Sequence, residues 1–136
     1  SVTKTPRENP QIEVDLPQEP VFVLGNGDLL ERACLNVLEN ARRHSPPEST
    51  IHVSLKTLGD IVEIVIIDQG EGVAPEQLGH LTERFYRIDS ARSREAGGSG
   101  LGLSIVREIV ESHGGSLSFV SHPGDGMKVT MILPLA

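Results

Sequence analysis

The stretch Gly97 to Val106, GGSGLGLSIV, runs a glycine-dense loop straight into an amphipathic helix, which is the build of an anion-binding site. Gly97, Gly98, Gly100 and Gly102 let the backbone come close to a bound group and adopt positive φ. The first turn of the helix behind them offers unpaired N–H donors, and its dipole favours an anion such as phosphate. The helix is predicted because Leu101, Ile105, Val106, Ile109 and Val110 recur at helical spacing and His113-Gly114-Gly115 ends the run. Neither GxGxxG nor GxxxxGK[ST] occurs, so neither a dinucleotide fold nor a Walker-type loop is indicated. Alone, the loop is equally compatible with a surface loop before a packed helix.

The length of 136 residues, with 38% hydrophobic content, suits one globular domain with its own core. A formal charge of −7 argues against a nucleic-acid binder, and 3% aromatics leaves no platform for base stacking. A bound polyanion would therefore need a local site. The single cysteine, Cys34, cannot pair within the chain, and its apolar helix face fits a core position in a reducing compartment. No apolar run is long enough to span a bilayer and no signal peptide is visible, so a soluble domain is expected.

Along the chain, residues 1–10 are polar and proline-punctuated and read as a linker or tail. Gln11 to Leu16 and Val21 to Leu24 read as two short strands joined by a turn around Pro17. Asp28 opens a helix with Glu31 in a capping-box-like start, and Ser45-Pro46-Pro47 closes it. Ile51, Val53 and Leu55 alternate as a half-buried strand. Ile61 to Ile67 is nearly all apolar and reads as central, in a hairpin with its predecessor through Leu58-Gly59-Asp60. Ser116 to Ser121 and Lys128 to Leu133 form a second pair around Gly124 and Gly126. The expected fold is α+β: a mixed, mainly antiparallel sheet covered by helices on one face, a two-layer α/β sandwich occupying residues 11–136.

Three constellations carry chemistry. In the first helix Leu30, Cys34, Val37, Leu38 and Ala41 make the apolar stripe, and Asn36 and Asn40 stack one turn apart on its flank. They are either boundary residues bonded to backbone or water, or a source of one amide oxygen for a hard cation such as Mg²⁺, which fills its shell with water and phosphate oxygens. Arg43 and His44 end the helix, where cations also serve simply as dipole partners. Next, Asp68-Gln69-Gly70-Glu71-Gly72 follows the apolar strand. A carboxylate there is either a turn aspartate or an acceptor in a slot, able to select an adenine amine over a guanine carbonyl. Last, Arg84, Arg87, Arg92 and Arg94 cluster in an acidic chain, as a solvated charge run or as a cationic cover over phosphates.

In this order the segments resemble the ATP-binding domain of sensor histidine kinases, within the superfamily of gyrase B, Hsp90 and MutL and its Bergerat ATP-binding fold. LNVLENARRHSP is similar to the N box, DQGEGVAPE to the G1 box, ERFYRID to the F box, GGSGLGLSIV to the G2 box and GDGMKVTMILP to the last glycine turn and strand. The resemblance covers nearly everything from Gln11 onward. It implies that Asn40 holds Mg²⁺ with Asn36 one turn before it, that Arg43 reaches phosphate, and that His44 lies beside adenine. It further implies that Asp68 bonds the adenine amine within a pocket shaped by Gly70 and Gly72. Arg87 would touch phosphate, Phe85 would pack the lid, and Gly98, Gly100, Leu101 and Gly102 would give backbone contacts. Asn36, Arg43 and Arg87 are the catalytic candidates.

Three positions depart from the family pattern. Thr82 stands where many relatives have the first F-box aromatic, which would weaken the lid's anchor. Met127 replaces a Ser or Thr after the last glycine. Asn36 occupies the place of the general-base Glu of the hydrolysing ATPases, which argues for transfer to another acceptor over water activation. None of His44, His52, His80, His113 or His122 has the setting of a phosphoacceptor, and His113 in HGG reads as structural. The expected function is therefore transfer of the γ-phosphoryl group of ATP, with Mg²⁺, to a histidine on a separate dimerisation and phosphoacceptor domain, with a response regulator downstream. The resemblance implies a cytoplasmic domain, monomeric in isolation, whose parent is anchored in the bacterial inner membrane.

Overall fold

A computed structural model describes residues 9–72, 74–83, 102–121 and 124–136. Chain order gives β1 (Gln11–Asp15), α1 (Gly27–His44), β2 (Thr50–Leu58), β3 (Ile61–Ile67), a short α2 (Pro75–Leu78), α3 (Gly102–Ser112), β4 (Ser116–Ser121) and β5 (Met127–Pro134). The five strands form one sheet in the order β1-β2-β3-β5-β4. β1 runs parallel to β2 and every other pair is antiparallel, so the sheet is mixed and mainly antiparallel as expected. A parallel neighbour needs a crossover, and α1 supplies it between β1 and β2.

Register explains which face is buried. Val53 lies opposite Ile66, Ile66 opposite Val129, and Val129 opposite Phe119, so one face carries an unbroken row of apolar side chains across four strands. Ile51, Val62, Ile66, Val129, Met131 and Leu133 on that face join Val37 of α1 and Val106 and Val110 of α3 in one core. Each such side chain removed from water contributes about 1.5–3 kcal/mol before ordering costs. β3 is the middle strand, in agreement with its apolar sequence. The row runs out at the edge, where Ile12 and Val14 of β1 stay exposed.

Three local expectations are corrected. Val21 to Leu24 is not a strand: β1 takes β2 as its neighbour, and residues 16–26, punctuated by Pro17 and Pro20, have no regular structure. Val21 and Val23 still turn onto the core, and Ala136 N–H donates to Phe22 O at 2.9 Å. α1 starts ahead of Asp28. Asn26 is its cap, accepting through its side chain from Leu29 N–H at 3.1 Å, the bond that an N-cap amide is suited to make. The fully buried ridge of α1 is Ala33, Val37 and Ala41, with Leu30, Cys34 and Leu38 only partly buried beside it. Ala33 was passed over because a short side chain gives a weak apolar signal, yet it is what lets α3 lie close.

The other ends fall where the sequence puts them. Ser45 caps α1, Gly59 turns β2 into β3 at φ +58°, and Gly114 ends α3 at φ +77°. Gly115 N–H reaches Val110 O and Gly114 N–H reaches Glu111 O, the paired bonds of a Schellman ending.

Candidate nucleotide site

The last residue of β3 hands the chain to Asp68, and the sheet decides its setting. Asp68 N–H donates to Met127 O at 2.9 Å, extending the β3–β5 ladder by one step. The carboxylate then folds back, so that Oδ1 accepts from Gly70 N–H at 2.9 Å and from Met127 N–H at 3.1 Å. The residue is only 3% exposed. Burial raises its pKa above the ordinary carboxylate range, while the Gly70 and Met127 N–H groups and nearby His44 pull in the opposite direction. Among the described residues both hydrogen bonds end on Oδ1 and none on Oδ2. The geometry is that of a buried acceptor fixed by the backbone on one oxygen and available on the other.

Glycine is required on both sides of this carboxylate. A Cβ on Gly70 would run into the backbone carbonyl of His44. Gly70 thus allows the end of α1 to close over the loop and brings His44 beside Asp68. Gly126, at φ +77°, lies so close to Asp68 O that a Cβ there would overlap it. Gly72 takes φ +78° in the same loop. The Ser121 hydroxyl donates to Gly126 O, tying the end of β4 to the residue before β5.

Asn36, Asn40 and His44 lie four residues apart on α1, each half-buried, and form one ridge alongside the buried ridge Ala33, Val37 and Ala41. Arg43 is half-buried next to this ridge, its Nε 3.6 Å from Glu39 Oε1. Glu39 makes its shorter bonds to Arg42, whose guanidinium holds the carboxyl below its ordinary pKa. Gly102 begins α3, and among the described residues nothing outside its own helix lies within 4 Å of the position a Cβ would take. Among the described residues no group of three or more His, Cys, Asp and Glu could hold a metal ion. A hard cation here would fit one amide oxygen from Asn40 together with oxygens of its ligand and water. Arg87, Gly98, Gly100, Leu101 and Phe85, with Arg84, Arg92 and Arg94, lie outside the described residues.

Gly126 and Met127 were noted in the sequence as the last glycine and a departure after it, but their roles, which run through the backbone, escaped it. Met127 serves Asp68 with its N–H and its carbonyl while its side chain enters the core, so the loss of a Ser or Thr hydroxyl leaves the carboxylate's support intact. Gly126 was read only as a turn residue. Its role depends on a contact across 58 positions, which nothing local in the sequence signals. Thr82, the other departure, accepts a hydrogen bond from Arg107 of α3 at 2.7 Å. An aromatic there would have packed against its surroundings, whereas Thr82 is tied by a polar bond.

A two-layer α+β domain with a buried acceptor at the end of its middle strand, a polar helix ridge above it and a glycine-led helix alongside defines a nucleotide-binding module of the ATPase type. The chain belongs to the family of histidine kinase-, DNA gyrase B- and HSP90-like ATPases, which it matches over residues 25–136. It is 42% identical over 133 residues to the sensor-like histidine kinase SenX3 of Mycobacterium tuberculosis, covering 96% of this chain and 32% of that protein. The sensor histidine kinase CusS of Escherichia coli K12 is 36% identical over 127 residues, 93% of this chain and 26% of that protein. Among solved structures, the mycobacterial sensor histidine kinase MprB superposes with a TM-score of 0.83 at 39% identity, covering 92% of this chain and 83% of that one. The chain therefore spans about a third or less of the length of these curated relatives. Among the described residues no helix is long and apolar enough to cross a membrane.

Proposed function

We propose that this chain is the ATP-binding catalytic part of a sensor histidine kinase. It transfers the γ-phosphoryl group of ATP to a histidine on a separate dimerisation and phosphoacceptor domain. The observation that carries this reading is Asp68, buried and held through Oδ1, with no hydrogen bond to Oδ2 among the described residues. A carboxylate that the backbone has already oriented accepts from the exocyclic amine of adenine without reorganising, and it repels the carbonyl of guanine. His44 stacks beside the base, with Gly70 and Gly72 shaping the slot.

Asn40 would hold the Mg²⁺, with Asn36 one turn before it. The ion, when bound, neutralises charge on the β- and γ-phosphates. Arg43 and Arg87 reach the phosphates, and Gly98, Gly100, Leu101 and Gly102 offer backbone donors. With an amide at Asn36 instead of a carboxylate, no base is supplied to activate water there, and an external imidazole takes the phosphoryl group in line. The phosphoacceptor domain belongs to the same parent kinase, which is anchored in the bacterial inner membrane with this domain in the cytoplasm, and a response regulator receives the phosphoryl group in turn.

The test combines the chain with its parent's phosphoacceptor domain and γ-labelled ATP. Label is expected on that domain, lost in acid and kept in base, as phosphohistidine requires. Acid-stable label would point to a serine acceptor, and no label with folded partners would remove the kinase assignment. Asn40→Ala is expected to abolish the Mg²⁺ dependence of ATP binding, and a titration that retains the dependence would move the metal elsewhere.

A further inference from the structure

At the opposite end of the sheet from Asp68 lies a partly open cavity of about 170 Å³ between the first turns of α1 and the far ends of β3 and β5. Val21 and Val23 form one wall, Leu30 and Cys34 of α1 another, with Val110 of α3 and Met131 of β5 behind them. The lining side chains are hydrocarbon apart from the Cys34 thiol and the Met131 thioether. A space of this size exceeds the voids that close-packed interiors ordinarily leave. The pocket is partly open to solvent, and its lining offers water almost no hydrogen-bond partner, so an apolar group gains by displacing the poorly ordered water there. Its volume is comparable to that of apolar cavities of about 150 Å³ that take up molecules the size of benzene.

We propose that this cavity is a binding site for a small, uncharged, apolar molecule of about one aromatic ring. Charge is excluded by the wall, which has no ion or strong donor to receive it. Entry is provided by residues 16–26, which have no regular structure and whose outward side chains, Phe22 and Leu24, are 70% and 82% exposed. Val21 and Val23 can shift there without breaking a helix or a ladder. The Cys34 thiol, whose pKa burial raises, stays neutral against such a ligand. The site is separate from the adenine pocket. Leu30 and Cys34 sit in the first half of α1, and His44 is ten residues beyond Cys34, or about 15 Å along the helix.

The experiment titrates the 136-residue chain with toluene and, in parallel, with benzoate, following methyl resonances by ¹H–¹³C NMR. Toluene is expected to shift the methyl signals of Val21, Val23, Leu30 and Val110 saturably, equally with and without saturating ADP. Benzoate should leave them in place. Cys34→Leu, which fills the cavity, should weaken toluene binding at least tenfold. In the wild-type chain, toluene should slow alkylation of Cys34 by iodoacetamide by the fraction of sites occupied, a readout that needs no variant. Shifts that never saturate, shifts removed by ADP, or an unchanged alkylation rate at saturating toluene would each overturn the proposal. Removal by ADP would assign toluene to the adenine pocket and leave the nucleotide reading standing.

Discussion

The two ends of the domain are built from the same four elements, α1, α3, β3 and β5, and they solve opposite problems. At the Asp68 end the chain buries a carboxylate, fixes it with backbone N–H groups and leaves room only for glycine at positions 70 and 126. At the other end it lines a partly open cavity with hydrocarbon, one wall of which is a segment that has no regular structure. One end is tight and polar and spends stability on a charge. The other is apolar, loosely filled and free of buried charge. The contrast teaches that binding groups here are held by backbone geometry, so substitutions at the polar end should change nucleotide affinity, whether stability moves with it or against it, and those at the apolar end should change stability alone.

The largest effect is expected from Gly126→Ala. Its φ of +77° costs an L-residue about 1–3 kcal/mol, and the new Cβ also overlaps Asp68 O, so the turn or the strand end must move. Urea unfolding should show a loss of at least this size, and calorimetry a parallel loss of ATP affinity. Retained affinity at reduced stability would mean that Asp68 keeps its position without the turn, and the polar end would be less tightly determined than the contrast requires.

Asp68→Asn should drive the two quantities apart. The amide oxygen can keep the bonds from Gly70 and Met127, so the packing survives, and the cost of a buried charge disappears. Because the folded pKa of Asp68 is raised, the native state holds a proton that the unfolded chain releases across the window from about pH 3.9 up to the folded value. Stability in that window falls as pH rises, and the deficit persists above it. The variant should therefore match the wild type below pH 4 and exceed it at pH 7. ATP affinity should drop by roughly 10- to 150-fold, the equivalent of a charge-assisted hydrogen bond of about 1.5–3 kcal/mol, with discrimination against GTP reduced. Unchanged binding of both nucleotides would sink the adenine contact.

Much of this architecture was legible because it is local. Alternation gave β2, β4 and β5, the apolar run gave the central β3, and Ser45, Gly59 and Gly114 marked ends whose turn chemistry is carried by single residues. Asn36 and Asn40 were found because helical spacing stacks them on one flank, His44 through the family resemblance, and Asp68 because a carboxylate after an apolar strand is anomalous. What escaped was non-local. Val21 to Leu24 has strand composition, but strand pairing depends on which neighbour is free, and β2 is taken on one side by β1 and on the other by β3. Asn26 was passed over in favour of Asp28 because both can cap and only the backbone at residue 26, with φ −94° and ψ 110°, decides between them. Gly126 and Met127 became site residues only when β5 was laid beside β3.

His113 provides the smallest test and the one that bears most directly on the apolar end. Its ring bridges two helices: Nδ1 lies 2.7 Å from Ile109 O within α3, and Nε2 lies 3.0 Å from Asn26 N–H at the start of α1. A carbonyl can only accept and an N–H can only donate, so the ring is the neutral tautomer with its proton on Nδ1. Gly25 is kept small by the same ring, since a Cβ there would strike it. His113→Ala removes both bonds; Ile109 O keeps the Ser112 hydroxyl as its donor at 2.7 Å while Asn26 N–H is left without the ring, for a loss of about 0.5–1.5 kcal/mol. Affinity for ATP should stay within twofold of wild type, because the bridge joins the ends of α1 and α3 farthest from Asp68. Loss of affinity beyond the loss of folded protein would show that the two ends are coupled through α1, and the division between a structural end and a binding end would have to be given up.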